Sequence, residues 1–166
     1  SSQPTDTMRA DLRGINLEYV FGLLDFHGVE LAGVATGIIT ATDLMSRPTV
    51  NASLDIRNFH FENTPLGRLN VTGGWGRVAP GSIDLDVWIT EPIHHLPTHV
   101  QGTITPGHGP SSGLDLDIQA RNLNAGFITE YASGIFQDFV GRASGHSHIY
   151  GPFSKLDLEG ALAMDT

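Results

Sequence analysis

The most regular feature of the chain is an alternation of apolar and polar residues with a period of two. It is clearest over residues 83–90, where the odd positions are aliphatic and the even ones mostly polar, and it recurs over residues 114–121 and 50–57. Because successive side chains of a β-strand point to opposite faces, each segment predicts a strand with one apolar and one polar face.

Turn-forming residues separate these segments. Glycine, proline, serine and threonine cluster at residues 72–74, 79–82 and 105–113, and shorter stretches at residues 69–71 and 100–104 predict further strands. Strands separated by turn signals at this density favour antiparallel meanders. The chain is therefore expected to be mainly β.

Two segments have apolar residues spaced three and four positions apart, which is typical of a helix. One covers residues 123–139, with Asn124 as a candidate N-cap, and the other covers residues 15–24, with Asn16 in that position. Neither is long enough to be stable alone, so each predicted helix is expected to pack on the sheet.

The two helical segments open an internal repeat with an offset of 108 positions. Gly33-Val34-Ala35-Thr36-Gly37 is similar to residues 141–145, and the apolar positions of residues 50–56 fall on those of residues 158–164. The two copies cover approximately residues 8–58 and 116–166. We therefore expect residues 1–166 to form one continuous β unit, a fragment of a larger repeat protein. Chance similarity between glycine-rich strand pairs is the alternative.

Several degenerate motifs follow one another in a fixed order along nearly the whole chain, from about Asp11 onward. They are the segments 48–56, 64–69, 100–104, 139–145, 151–153 and 156–162. In this order they resemble the repeats of TamB and its AsmA-like relatives. Asp43-Leu44 depart from the pattern, because they stand where Gly151-Pro152 stand in the second copy.

The resemblance implies a repeated antiparallel β-sheet, curved into an open taco-shaped groove with two short helices. Proteins of this family are anchored in the inner membrane of Gram-negative bacteria and extend across the periplasm. They are linked to phospholipid transport between the inner and outer membranes and to outer-membrane protein assembly and secretion. The resemblance thus implies a non-enzymatic periplasmic segment without a cofactor. Its partners would be phospholipid acyl chains, and a partner of the Omp85 type in the outer membrane would bind other parts of the parent protein.

A sheet with one continuous apolar face must be covered, closed into a barrel, or used as the lining of a groove for an apolar ligand. The alternation by itself favours an ordinary closed core, and it is the resemblance that favours the groove. Ten aliphatic positions form the predicted lining: Val50, Leu54, Ile56, Ile83, Leu85, Val87, Ile89, Leu114, Leu116 and Ile118.

The alternative function is an extracellular β-sandwich that acts as a binding or adhesion module. Its contacts would come from Trp88, on the polar side of its strand, from Trp75, predicted to lie in a glycine-flanked turn, and from loop histidines. Such a sandwich would fill its apolar interior with its own side chains and bind no lipid.

Composition and charge narrow the range of partners. The chain has 18 acidic and 9 basic residues, a net charge of −9 and no cysteine. The acidic balance argues against nucleic acid or anionic lipid headgroups as the main partner, because both need clustered lysine or arginine. The absence of cysteine excludes disulfides and thiolate metal sites. The edge strands of such a sheet would be unpaired, which predicts that self-association is possible.

Histidines and paired aspartates are the remaining candidate chemistry. His146 and His148 would share one face of a strand, as would the aspartates of the Asp-x-Asp pairs at residues 84–86 and 115–117. No third ligand is placed by the spacing, so exposed histidines and a solvated strand face are favoured over a metal site.

Overall fold

The described residues form a single antiparallel β-sheet of nine strands. The computed structural model describes residues 6–19, 30–92, 96–107, 109–127, 141–152 and 154–165. Each strand pairs with its neighbours in chain order, which confirms the predicted mainly β meander. The strands are β1 (Thr7–Asn16), β2 (Leu31–Thr42), β3 (Thr49–Phe61), β4 (Thr64–Trp75), β5 (Ile83–Thr90), β6 (Thr98–Thr105), β7 (Gly113–Asn124), β8 (Arg142–Pro152) and β9 (Asp157–Asp165).

The predicted helices fall largely outside the described residues. Residues 17–19 are helical directly after Asn16, and residues 20–24 are not described. The predicted start of the second helix is wrong, because Leu123 and Asn124 continue β7 and pair with β8. The Asn124 side chain accepts a hydrogen bond from the Gly126 backbone N–H at 3.2 Å, within a turn. Residues 128–139 lie outside the described part.

The strand registers align the apolar residues of neighbouring strands in four rows across the central strands. We name them inner (Ile56, Leu69, Ile89, Thr98), second (Leu54, Val71, Val87, Val100, Ile118), third (Ala52, Gly73, Leu85, Gly102, Leu116) and outer (Val50, Trp75, Ile83, Ile104, Leu114). A row is continuous because paired residues of an antiparallel ladder point to the same face of the sheet. The alternation within each strand therefore produces one apolar face for the whole sheet.

The sheet curls around this apolar face at the end that holds the inner row. The Asn124 side-chain amide on β7 donates to the Pro65 carbonyl on β4 at 3.4 Å, although β5 and β6 lie between these strands. The Phe61 and Phe127 rings meet edge to face, with their centroids 5.3 Å apart. In a flat sheet, strands three places apart are separated by roughly 14 Å. The contacts therefore require strong curvature, and the buried core lies inside it.

Glycines on the apolar face allow the strands to approach each other closely. A Cβ on Gly37, Gly73, Gly102 or Gly145 would collide with a backbone carbonyl oxygen of the adjacent strand. Gly102 has a φ of +148° and is paired with Leu85 on one side and Leu116 on the other. Only glycine combines this backbone conformation with the missing side chain, so these positions permit the sheet to bend.

The same local geometry recurs at the offset of 108 positions. Gly37 pairs with Leu54, and Gly145 pairs with Leu162. A register shift lies between Leu12 and Ile15 in the first set of strands and between the equivalent residues 120 and 123 in the second. Strands β1 to β3 and β7 to β9 thus share their register and their bulge.

The two bulges are held by equivalent hydrogen bonds. The Gly14 N–H donates to Thr36 Oγ1 at 3.2 Å, and the Asn122 N–H donates to Ser144 Oγ at 2.9 Å. Gly14 and Asn122 both have positive φ angles, of 63° and 53°. Glycine and asparagine are the residues that tolerate this conformation best, which explains their use at the same point of the bulge.

We predict that Gly102→Ala destabilises the protein by about 2 kcal/mol or more, because the new methyl group would strike the Asp115 carbonyl oxygen. The matched control is Gly109→Ala, in an exposed turn where the added Cβ meets only Ser112 Oγ at 4.0 Å. The control should change the free energy of unfolding by less than about 0.5 kcal/mol. Urea unfolding of the two variants measures the difference, and equal effects would contradict this account of the glycines.

Candidate functional site

All ten aliphatic residues of the predicted lining lie on the same face of the sheet. Ile56 and Ile89, in the inner row, are 5 % and 8 % exposed, and the other eight are half-buried. Half-burial of so many aliphatic side chains on β3, β5 and β7 leaves an apolar surface that the described residues cover only in part.

The burial of this face changes from one end to the other. The inner row is buried throughout, whereas every residue of the outer row is half-buried or exposed, with Trp75 36 % exposed. We call the end with the inner row the closed end and the end with the outer row the open end. Trp75 was expected in a turn; it is instead the last residue of β4, and its ring adds aromatic surface to the open end.

A buried polar network joins separate strands at the closed end. Glu91, directly after β5, is 7 % exposed and accepts a hydrogen bond from Arg142 Nη1 at 3.0 Å and from the Asn124 backbone N–H at 3.2 Å. Arg142 also donates to the Asn122 carbonyl at 2.6 Å. A buried carboxylate is tolerated only when paired and hydrogen-bonded, so this network holds β5 against the ends of β7 and β8. We call it the clasp.

The start of β6 is fixed at the same end. The Arg121 backbone N–H donates to Thr98 Oγ1 at 3.0 Å, and its guanidinium donates to the Pro97 carbonyl at 3.0 Å. Thr98 is fully buried, and this bond satisfies a hydroxyl that would otherwise be costly to enclose. These bonds and the clasp together give the buried polar groups beside the inner row their hydrogen-bond partners.

Besides Thr98 in the inner row, a second polar side chain stands on the apolar face. Ser147, on β8, is 1 % exposed, and within the described part of the chain its hydroxyl has no hydrogen-bond partner. It pairs with Ile118 in the second row and with Gly160 on β9. In the first copy of the repeat the equivalent residue is Ile39, so the buried hydroxyl is specific to the second copy.

The opposite face of the sheet is polar and its histidines are paired with aspartates across strands. His146 Nε2 lies 3.1 Å from Asp117 Oδ1, and His148 Nε2 lies 2.5 Å from Asp115 Oδ1. The hydrogen bond to Asp115 raises the pKa of His148 above its usual value of 6.5. Among the residues that the structure describes, no group of three or more histidine or acidic side chains is arranged to hold a metal ion.

Trp88 belongs to the same polar face. Its indole stacks on the His99 ring with a centroid distance of 3.9 Å and an interplanar angle of 7°. His99 Nε2 in turn lies 2.8 Å from Asp86 Oδ1. The tryptophan thus covers a cross-strand histidine–aspartate pair, and its stacking partner fixes its ring against the sheet.

No family model, curated protein or solved structure matches the chain. Among the described residues, no helix has the length and apolar character needed to cross a membrane.

We predict that Ser147→Ala stabilises the protein by about 1 kcal/mol, because it removes a buried hydroxyl that has no hydrogen-bond partner among the described residues. Ser144→Ala is the matched control on the same strand, since Ser144 accepts the bond that holds the Asn122 bulge. Ser144→Ala should lower the free energy of unfolding by about 1 kcal/mol. The two free energies of unfolding, from urea titrations, should move in opposite directions; a loss of stability in Ser147→Ala would contradict the prediction.

We predict that the His148–Asp115 pair makes stability depend on pH. The pKa of His148 in the folded protein is raised above 6.5. The contribution of the His148–Asp115 pair to the free energy of unfolding is therefore fully present below pH 6.5, and it is lost as the pH rises through the folded pKa. NMR titration of the His148 ring measures that pKa, and Asp115→Asn is the control that should return it toward its usual value. An unchanged His148 pKa in Asp115→Asn would show that the carboxylate is not the cause.

Proposed function

We propose that this chain supplies an apolar β-groove that takes phospholipid acyl chains. In this proposal it is a segment of an envelope-spanning, TamB- or AsmA-like protein in the periplasm, anchored elsewhere in the inner membrane. The parent would serve phospholipid transport between the two membranes, outer-membrane protein assembly and secretion, or both. The observation that carries the proposal is the continuous, half-buried aliphatic face, ten of whose residues come from three separate strands.

The chemistry of the rows suits an acyl chain. A hydrocarbon chain has no charge or hydrogen-bonding group, so it needs only apolar surface, and each buried methylene contributes about 0.8 kcal/mol. The second row presents Leu54, Val71, Val87, Val100 and Ile118 on adjacent strands. Such a row offers nearly uniform contact, which allows a chain to be held without a specific anchor while its headgroup stays in water.

The topology also favours the groove over a β-sandwich. A sandwich requires a second sheet packed on the apolar face, and all strands of the described part of the chain belong to one sheet. The two tryptophans also differ in position, since Trp75 lies on the apolar face and Trp88 on the polar face. They therefore do not form the single exposed aromatic surface that an adhesion module would need.

We predict that Leu85→Arg reduces lipid binding about tenfold or more, which corresponds to about 1.4 kcal/mol. The guanidinium would enter the third row between Gly73 and Gly102, where it would place on the apolar face a charge that a hydrocarbon chain cannot pair. Thr72→Arg is the matched control, because Thr72 is exposed on the polar face of the adjacent strand.

The measurement is photocrosslinking to a phosphatidylethanolamine that carries a diazirine in its acyl chain, with far-UV circular dichroism to confirm that both variants are folded. Thr72→Arg should crosslink like the unsubstituted chain. If folded Leu85→Arg crosslinks as well as the control, the apolar face is not the binding surface. If the unsubstituted chain itself forms no adduct, the proposed function is wrong.

A further inference from the structure

The polar face of β5 carries a large aromatic side chain at a position where the alternation otherwise places polar residues. Trp88 follows Asp86 on this face and is 38 % exposed. Across the sheet it pairs with Asn70 on β4 and with His99 on β6. The indole is therefore an accessible apolar surface among hydrogen-bonding side chains.

The stacking on His99 determines which side of the indole is open. The two rings are 7° from parallel and their centroids are 3.9 Å apart, which is close to the contact distance of two carbon atoms. The normal to the indole plane therefore points across the strands, and the face turned away from His99 is directed toward β4. Because His99 Nε2 lies 2.8 Å from Asp86 Oδ1, the stacked pair is oriented before any ligand arrives, which lowers the cost of binding.

A cleft of about 470 Å³ is lined by Trp88 and extends over β4 and β3 to β2. We call it the tryptophan cleft. Its volume lies within the range of small-molecule sites, about 300–1,000 Å³. Four of its polar side chains are exposed and carry no charge: Thr36, Ser53, Asn70 and Thr72.

The two carboxylates that line the tryptophan cleft are both paired within the protein. Asp55 accepts two hydrogen bonds from the Arg68 guanidinium, at 2.6 and 2.7 Å, and Asp86 is paired with His99. The side chains left for a ligand are the neutral amide and hydroxyl groups, which both donate and accept hydrogen bonds. This arrangement favours an uncharged ligand with several hydroxyl groups over an ion.

A pyranose with equatorial hydroxyls combines the two properties that the tryptophan cleft requires. The flat faces of such a sugar carry C–H groups, whose hydrogens are slightly positive and are attracted to the negative face of an aromatic ring. Its hydroxyls lie around the rim, where they can bond to amide and hydroxyl side chains. A hydrocarbon chain would cover the indole but leave the polar groups without partners.

We propose that the tryptophan cleft binds a neutral glycan built from glucose-type pyranoses. One sugar ring stacks on the indole face turned away from His99, and its rim hydroxyls bond to Asn70 and Thr72. The cleft lies on the opposite face of the sheet from the aliphatic rows, so this binding site goes beyond the proposed function and does not depend on it.

The test is an NMR titration of the ¹⁵N-labelled, unsubstituted chain with cellotetraose and, separately, with chitotetraose. The chain has two tryptophans, and the indole N–H of Trp75, on the apolar face, is an internal control for that of Trp88. We expect the Trp88 signal to shift with a Kd on the order of 1 mM for at least one of the sugars, because an open cleft contacts few ligand atoms. The Trp75 signal should not move.

Three results would overturn the glycan site. One is that neither sugar shifts the Trp88 signal, and the second is that both indole signals shift equally. The third is a shift with tetramethylammonium chloride alone, which would show that the cleft takes a cation. In each case lipid crosslinking of the unsubstituted chain is unaffected, so failure of the glycan site is distinguishable from failure of the proposed function.

Two variants test the contacts separately. Trp88→Ala, monitored at the Asn70 backbone amide, should raise the Kd tenfold or more, whereas Trp75→Ala is the matched control and should leave it unchanged. Asn70→Ala, an exposed position, should raise the Kd about threefold to tenfold through the loss of a hydrogen bond. Far-UV circular dichroism confirms that each variant is folded. Equal affinities of folded Trp88→Ala and Trp75→Ala would overturn the proposed stacking.

Discussion

The structure depends on one constraint: an apolar face on a single sheet must be removed from water, and the described part of the chain has no second sheet to cover it. Apolar surface contributes roughly 25 cal/mol for each Å² buried, so curvature is the remaining way to gain from that face. The sheet curls until β4 and β7 touch at one end. The glycines of the apolar face and the clasp both follow from this requirement, because one permits the bend and the other holds it.

The curl accounts for the unequal use of polar groups on the two faces. Outside, the aspartates of β5 and β7 pair with histidines and an arginine at the surface, where such pairs contribute little to stability. Inside, Glu91 is buried and Arg142 is half-buried, and loss of Arg142 would leave the buried Glu91 carboxylate without its ion-pair partner. The few polar groups at the closed end therefore matter more than the many on the outer face.

The strands and the face of each residue could be predicted from the sequence, because alternation depends only on neighbouring positions. Residues 83–90 were predicted as a strand and form β5 within the same bounds. The helix predicted from residue 123 failed at its start because Leu123 lies on the far side of a bulge, where it still pairs with Ala143. Spacing alone cannot distinguish a bulged strand from the first turn of a helix.

The clasp was not predicted, since Glu91 and Arg142 are 51 positions apart and meet only after the sheet has curled. Ser147 was missed for a related reason: its burial depends on strands that no local pattern brings together. The Asn122 bulge, by contrast, carried a local signal, because a hydroxyl and a residue tolerant of positive φ recur at the repeat offset.

That offset has a geometric consequence. The second set of strands begins six strands after the first, and six is an even number. In an antiparallel sheet an even step restores both the direction of the strand and the face on which its apolar residues lie. A unit of this size can therefore be duplicated without turning its apolar side outward, whereas a duplication by five or seven strands would reverse the chain direction. Because the step is six strands, repeated duplication of the unit would lengthen the sheet and keep its apolar face on one side.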